Sequence, residues 1–134
     1  MGEAVGKQYV QLHFPAERKA RMEVLVKNLL EAYRQSIDTL DWMSPATKKE
    51  AQDKLSKFTP KVGYPNKWRD YSALSVSRDD IVGNVMRSNT VDYKHEVAKL
   101  GKPIDREEWG MTPQTVNAYY NPAMNEIVFP ASIL

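Results

Sequence analysis

The 134 residues include no cysteine, which excludes disulfide bonds, thiolate nucleophiles and cysteine-ligated zinc. Histidine is scarce as well, and His13 and His95 are too few for a self-contained structural zinc site without cysteine. No apolar run approaches the roughly 20 residues that span a bilayer, and residues 1–7 lack the apolar stretch of a signal peptide. The sequence therefore predicts no membrane segment in this chain.

An excess of charge of one sign is also lacking, since 19 basic residues oppose 17 acidic ones and the formal net charge is +2. So small an excess implies no strong attraction to polyanions. Aromatic and basic residues do not interleave as they do in proteins that bind single-stranded nucleic acid. We predict no nucleic-acid partner; weak nucleic-acid binding remains an alternative, supported only by the isoelectric point near 8.8.

Motifs for the common catalytic chemistries are missing too. The glycines are too isolated for a phosphate-binding loop, and no serine lies in a Gly-x-Ser-x-Gly motif. His95 and Glu96 begin a His-Glu-x-x-His zinc motif, but Lys99 stands where the second histidine is required. The acidic pairs at 79–80 and 107–108 stand at predicted helix starts, where negative charge complements the helix dipole. These residues alone predict no catalytic site.

Hydrophobic residues recur at helical spacing in four segments, residues 4–14, 17–41, 45–58 and 77–100. The second segment is the clearest, because steps of three and four place its apolar side chains in one stripe along a long helix with a charged back. These apolar positions are Met22, Leu25, Val26, Leu29, Leu30, Tyr33, Ile37 and Leu40. Residues 60–76 are rich in proline, glycine and serine, and we expect a loop there.

Capping residues mark the ends of the later helices. Ser44 followed by Pro45 predicts an N-cap with proline at the first helical position. Ser77 with Asp80 resembles a capping box, and Gly101 is placed to end the same helix in a left-handed conformation. The apolar positions of this helix are Ile81, Val82, Val85, Met86, Tyr93, Val97 and Leu100.

The pattern changes near the C-terminus. Residues 115–120 and 126–129 favour β-strands, and turn-forming residues separate them, so a β-hairpin is predicted. The predicted fold is α+β and mainly α, with amphipathic helices in residues 1–110 and a C-terminal β-hairpin in residues 111–134, as a single structural fragment. The apolar finish at residues 131–134 has no polar tail, and we interpret the chain as cut from a longer one.

Several segments together resemble the neprilysin and endothelin-converting-enzyme family of zinc metalloendopeptidases. That family's substrate-binding motif is Asn-Ala-(Tyr/Phe)-Tyr, followed shortly by Ile-Val-Phe-Pro-Ala. Residues 116–120 read Val-Asn-Ala-Tyr-Tyr, and residues 125–131 read Asn-Glu-Ile-Val-Phe-Pro-Ala. Residues 5–10, 40–43 and 62–65 are similar to the family as well, so the resemblance covers nearly the whole chain.

The resemblance implies that this chain is an internal segment of a larger two-lobed metallopeptidase and ends ahead of the zinc ligands. It implies zinc in the parent enzyme and peptide substrates, with no zinc bound by this segment, no catalytic residue in it and no activity of the segment alone. Of the matching positions, the resemblance implies a substrate-binding role for Asn117 and Ala118 only. Asn117 carries a side-chain donor and acceptor, and Ala118 is small, with a carbonyl that is a candidate acceptor.

The family implies that the strand of Asn117 and Ala118 borders the cleft and pairs with an extended peptide. Without the family, Asn117 is better interpreted as a residue that caps or bridges the hairpin. The alternative function is a helical protein-interaction module without catalytic activity, supported by the amphipathic helix 17–41. We also expect self-association through the hairpin, because the cut would uncover the apolar residues 127–129.

Overall fold

The computed structural model describes all 134 residues, which form four α-helices and a three-stranded sheet. The elements in chain order are α1 Gly2–His13, α2 Ala16–Thr39, α3 Pro45–Ser56, β1 Thr59–Gly63, α4 Ile81–Val97, β2 Tyr119–Asn121, β3 Glu126–Pro130 and a final 3-10 turn, Ala131–Ile133. The predicted mainly α, α+β fold is confirmed. None of the helices combines the length and apolar character that crossing a membrane requires.

Local sequence explains where α3 and α4 begin. The Ser44 hydroxyl accepts a hydrogen bond from the backbone N–H three residues later at 3.2 Å, with Pro45 at the first helical position, as predicted. The cap of α4 is Asp80, whose carboxylate accepts from the N–H of Gly83 at 2.9 Å. The prediction of Ser77 as this cap is wrong, because the chain is not yet helical there.

The sheet has the order β1-β3-β2, with β3 parallel to β1 and antiparallel to β2. The predicted hairpin is confirmed, although its first strand begins at Tyr119 rather than at residue 115. The predicted loop at 60–76 is partly wrong, because its first residues belong to β1. Local composition disfavours a strand there, but β3 supplies a partner from far along the chain, and pairing overrides propensity.

A small apolar core lies where the sheet meets α1 and α2. Val10, Phe14 and Ala131 are buried together. Gly63 has a φ of +77°, and a Cβ at this position would lie 2.6 Å from the Phe14 ring. Glycine is therefore required at the end of β1 both for its backbone conformation and for the close approach of the ring.

A buried ion pair joins strand β1 to strand β3. The Lys61 ammonium lies 2.7 Å from the Glu126 carboxylate, and their side chains are only 8% and 3% exposed. Lys61 also donates a hydrogen bond to the backbone carbonyl of Glu108 at 2.9 Å. Because both charges are paired, their burial is compatible with a stable sheet.

The apolar stripes of the long helices are only partly covered. In α2, Val26 is buried while Leu25, Leu29 and Tyr33 are exposed. In α4 the predicted periodicity is present, but the stripe points outward and Ser88 is the one buried residue. The exposed positions of this stripe are Ile81, Val82, Val85, Met86, Tyr93 and Val97.

The expectation that the hairpin exposes residues 127–129 is wrong. Strand β3 is the central strand and pairs on both sides, so it has no open edge. Val128 is 0% exposed, and Ile127 and Phe129 are half-buried. Self-association through this hairpin therefore loses the structural basis on which it was expected.

Candidate substrate-binding site

Asn117 and Ala118 lie immediately before β2, Asn117 exposed and Ala118 half-buried. The N–H of Asn117 donates to the carbonyl of Thr115 at 3.0 Å. The side-chain Oδ1 of Asn117 accepts from the N–H of Ala118 at 2.8 Å. No other group of the chain bonds to the Asn117 amide nitrogen Nδ2 or to the carbonyls of Asn117 and Ala118. One donor group, the amide nitrogen, and two carbonyl acceptors thus have no partner within the chain.

The segment that precedes Asn117 is hydrogen-bonded to the turn that follows β3. Ser132 donates its backbone N–H to the carbonyl of Pro113 at 3.0 Å and its hydroxyl to the carbonyl of Thr115 at 2.5 Å. The hydroxyls of Thr112 and Thr115 share a further hydrogen bond of 2.9 Å. The residues just before Asn117 are therefore held in place by hydrogen bonds.

On the other side, Tyr119 fixes the chain where β2 begins. It pairs with Val128 in the antiparallel ladder, and its hydroxyl accepts from the N–H of Gly110 at 2.7 Å. Burial raises the pKa of the Tyr119 phenol, although the Gly110 hydrogen bond opposes the shift. The phenol is therefore neutral at physiological pH and serves here as a hydrogen-bond anchor.

The tip of the hairpin is anchored to the end of α3. The Tyr120 ring stacks on Phe58, with centroids 6.2 Å apart and ring planes 16° from parallel. The Tyr120 hydroxyl donates to Oδ1 of Asn125 at 3.2 Å, and Nδ2 of Asn125 donates to the carbonyl of Lys54 at 2.9 Å. Asn125 adopts a φ of +49°, a conformation that asparagine tolerates better than most residues. These contacts fix the direction of β2.

One cluster in the chain has metal-ligating groups, His95, Glu96 and Glu108, all exposed. The Lys99 ammonium lies between its carboxylates, 2.7 Å from Glu96 and 2.6 Å from Glu108. The hydrogen bond from Lys99 lowers the pKa of Glu96. Because the Lys99 ammonium occupies the space between the two carboxylates, and because the three groups are exposed with no fourth ligand beside them, the cluster does not fit a structural zinc site.

The structure brings Asn117 and Ala118 together with supports that the sequence did not reveal. Ser132 bonds to the segment before Asn117, whereas Tyr119 and Asn125 hold the strand that follows it. A single serine after a strand carries no motif, so no local signal identifies Ser132. The φ of Asn125 could have been expected from its place in the turn between two β-prone runs.

Residues 1–65 match the model of peptidase family M13. Over 141 and 142 aligned residues, 100% of this chain is 33% identical to the endothelin-converting enzyme homolog of Locusta migratoria and 34% identical to neprilysin of Homo sapiens. The chain covers 19% of each of these two proteins. The alignments therefore extend through the hairpin that carries Asn117 and Ala118.

The structure is also similar to that of the zinc metalloprotease Zmp1 of Mycobacterium tuberculosis in its open state. Sequence identity is 65% and the TM-score is 0.93, over 99% of this chain and 21% of that one. The chain thus spans about a fifth of the length of the relatives it matches. Sequence and fold therefore agree with the resemblance to this peptidase family along the whole chain.

Proposed function

We propose that this chain is part of a zinc-dependent endopeptidase, in which it supplies scaffold and a strand edge that aligns extended peptide substrates. The supporting observation is the set of open hydrogen-bonding groups at Asn117 and Ala118, just before β2. The charged cluster of His95 does not fit zinc, so in this proposal the ion is held by residues outside these 134. Bound zinc would supply the Lewis acid for hydrolysis, and this chain alone would cleave no peptide.

The geometry suits recognition of a peptide backbone. The hydrogen bond from the Ala118 N–H holds the Asn117 carboxamide by its oxygen, which leaves Nδ2 free to donate to a substrate carbonyl. The carbonyl of Ala118 can accept from a substrate N–H, and its small side chain lets the peptide approach. Main-chain hydrogen bonds of this kind bind peptides with little regard to sequence.

The test is Asn117→Ala in the whole peptidase. Loss of a hydrogen bond in a partly desolvated site costs about 1–3 kcal/mol, so kcat/KM should fall roughly 5- to 150-fold. Zinc content and the unfolding temperature should stay near those of the unchanged enzyme, because the ladder of β2 does not use this side chain. Asn89→Ala is the matched control, since Asn89 is an exposed asparagine on α4 with no hydrogen-bonded side chain.

Full activity of the Asn117→Ala enzyme would make Asn117 scaffold, and so would a loss of activity that only follows unfolding. Direct metal analysis of the purified 134-residue chain gives a second test. One tightly held zinc per chain, or cleavage of a fluorogenic peptide, would contradict the assignment of the metal to residues outside it.

A helical protein-interaction module remains the second candidate, and the exposed Leu25, Leu29 and Tyr33 of α2 favour it. The two proposals differ in what Asn117→Ala does. A module that binds through α2 would be indifferent to a change before β2, whereas Leu29→Asp would abolish its partner binding. Peptidase activity that responds to Asn117 and not to Leu29 supports the endopeptidase.

A further inference from the structure

We infer that Ser132 is a positioning residue for the segment 113–118, which presents Asn117 and Ala118 to the substrate. The inference rests on the proposed function. Ser132 touches no substrate-facing group itself, and its effect passes through the backbone of Pro113 and Thr115. Nothing in the motif that contains Asn117 identifies it, because Ser132 follows the second strand of the hairpin.

Ser132 is bonded to this segment at two points. Its N–H and its hydroxyl donate to two carbonyls that are two residues apart, those of Pro113 and Thr115, at 3.0 and 2.5 Å. Pro113 and Thr115 belong to a turn, in which the N–H of Thr115 donates to the carbonyl of Thr112 at 3.0 Å. One residue therefore fixes both the position and the direction of the chain that leads to Asn117.

Ser132 is itself held firmly to the sheet. It follows Pro130, the buried last residue of β3, and Ala131, which belongs to the apolar core. Ser132 is half-buried, so its hydroxyl is partly shielded from water that would compete for the Thr115 carbonyl. The position of the central strand is thereby transmitted to the substrate-binding segment.

The two ends of the segment differ in how much they depend on Ser132. Pro113 is fully buried against α1, where a Cβ on Gly6 would lie 2.7 Å from its ring. Thr115 is only half-buried, and its carbonyl accepts from the Ser132 hydroxyl and the Asn117 N–H. Loss of the hydroxyl should therefore loosen the half of the segment next to Asn117 and leave the half at Pro113 in place.

The experiment compares Ser132→Ala, Ser132→Thr and Ser56→Ala in the zinc-loaded whole peptidase. Ser56 is the matched control, because its hydroxyl also donates to a backbone carbonyl, that of Asp53 at 2.7 Å, but at the end of α3. Each variant is assayed with a long peptide and with a truncated peptide that is too short to reach Asn117. Zinc content, unfolding temperature and amide hydrogen exchange of residues 115–118 are measured alongside.

With the long peptide, Ser132→Ala should lower kcat/KM roughly 3- to 10-fold, as loss of one partly shielded hydrogen bond predicts. We expect KM to rise while kcat stays unchanged, since alignment acts on bound substrate and transition state alike. The truncated peptide should be unaffected, and exchange at residues 115–118 should quicken. Ser132→Thr, which keeps a hydroxyl, should restore kcat/KM with the long peptide and the slow exchange at residues 115–118. Ser56→Ala should change neither quantity.

Asn117→Ala on the same two peptides separates the two proposals. If Asn117→Ala impairs only the long peptide and Ser132→Ala impairs neither, the role of Ser132 is overturned and the proposed function stands. Equal losses on both peptides would make Ser132 a general structural residue and also overturn the inference. If Asn117→Ala has no effect on either peptide, the proposed function fails and the role of Ser132 fails with it.

Discussion

The sheet and helix α4 use hydrophobic and polar residues in opposite ways. In the sheet, the charged pair Lys61 and Glu126 is buried beside Val128, which is 0% exposed. In α4, a stripe of apolar residues is exposed while the one buried residue is Ser88. The middle of the sheet is therefore covered within these residues, whereas the apolar side of α4 is not.

This difference teaches that periodicity identifies an element more securely than it identifies what covers it. The spacing of apolar residues in α4 predicts a helix correctly, since spacing depends only on the geometry of the helix. Which side is covered depends on the packing of other elements. The relatives that this chain matches are about five times longer than the chain itself.

The largest expected effect comes from breaking the buried pair. Lys61→Met in the whole peptidase should lower the free energy of unfolding by about 3–5 kcal/mol, because it leaves the Glu126 carboxylate buried without a partner. Urea denaturation measures the change. Combining it with Glu126→Leu should recover much of the loss, since both charges are then removed from the interior.

The control for this prediction is Lys57→Met. Lys57 pairs with Asp53 at a similar distance of 2.5 Å, but its side chain is 68% exposed. Solvent-exposed pairs contribute only about 0.2–1 kcal/mol. If the two lysine variants destabilise the protein equally, burial is not what distinguishes the sheet.

Two glycines sharpen the comparison further, because both have positive φ. Gly63, at +77°, has the Phe14 ring where a Cβ would be, whereas Gly101, at +73° beyond the end of α4, has nothing within 4 Å. Gly101→Ala should cost about 1–2 kcal/mol, the strain of a left-handed alanine. Gly63→Ala should cost this and a further ~1–3 kcal/mol of overpacking. Unfolding free energies that match within error would show that Phe14 moves aside freely.

The smallest effect is expected at the exposed surface of α2. Hydrogen bonds from Arg34, and then from Gln35, lower the pKa of Glu31 from 4.5 to about 2. A carboxylate with a lowered pKa stabilises the fold above its ordinary pKa and loses that contribution as the pH falls. Glu31→Gln should thus lower the urea midpoint slightly at pH 7. The difference from the unchanged protein should vanish as the pH falls from about 4.5 to 2.

Added salt should shrink the same difference at pH 7, because Glu31 is exposed and its interactions are screened. A difference that grows as the pH falls would have the wrong sign for a carboxylate with a lowered pKa.

The sequence predicted the helices and the hairpin, because each depends on residues close together in the chain. Ser44 with Pro45 was enough to place the start of α3. Strand β1 was missed, since its partner β3 lies far along the chain and its own composition suggests a loop. The support from Ser132 was missed for the same reason, because its partners are Pro113 and Thr115 and no pattern joins them.

The parallel pairing of β1 with β3 has a consequence for how the molecule assembles. Thr59 pairs with Glu126, so α4 lies in the long stretch of chain between the two strands. The ends of this stretch must meet before the sheet can form. Contacts between residues so far apart form slowly, because the entropy of closing the loop is lost before the contacts are gained. On the ribosome, helices α1 to α3 can form while β1 remains unpaired, and the ion pair between Lys61 and Glu126 forms only once β3 emerges.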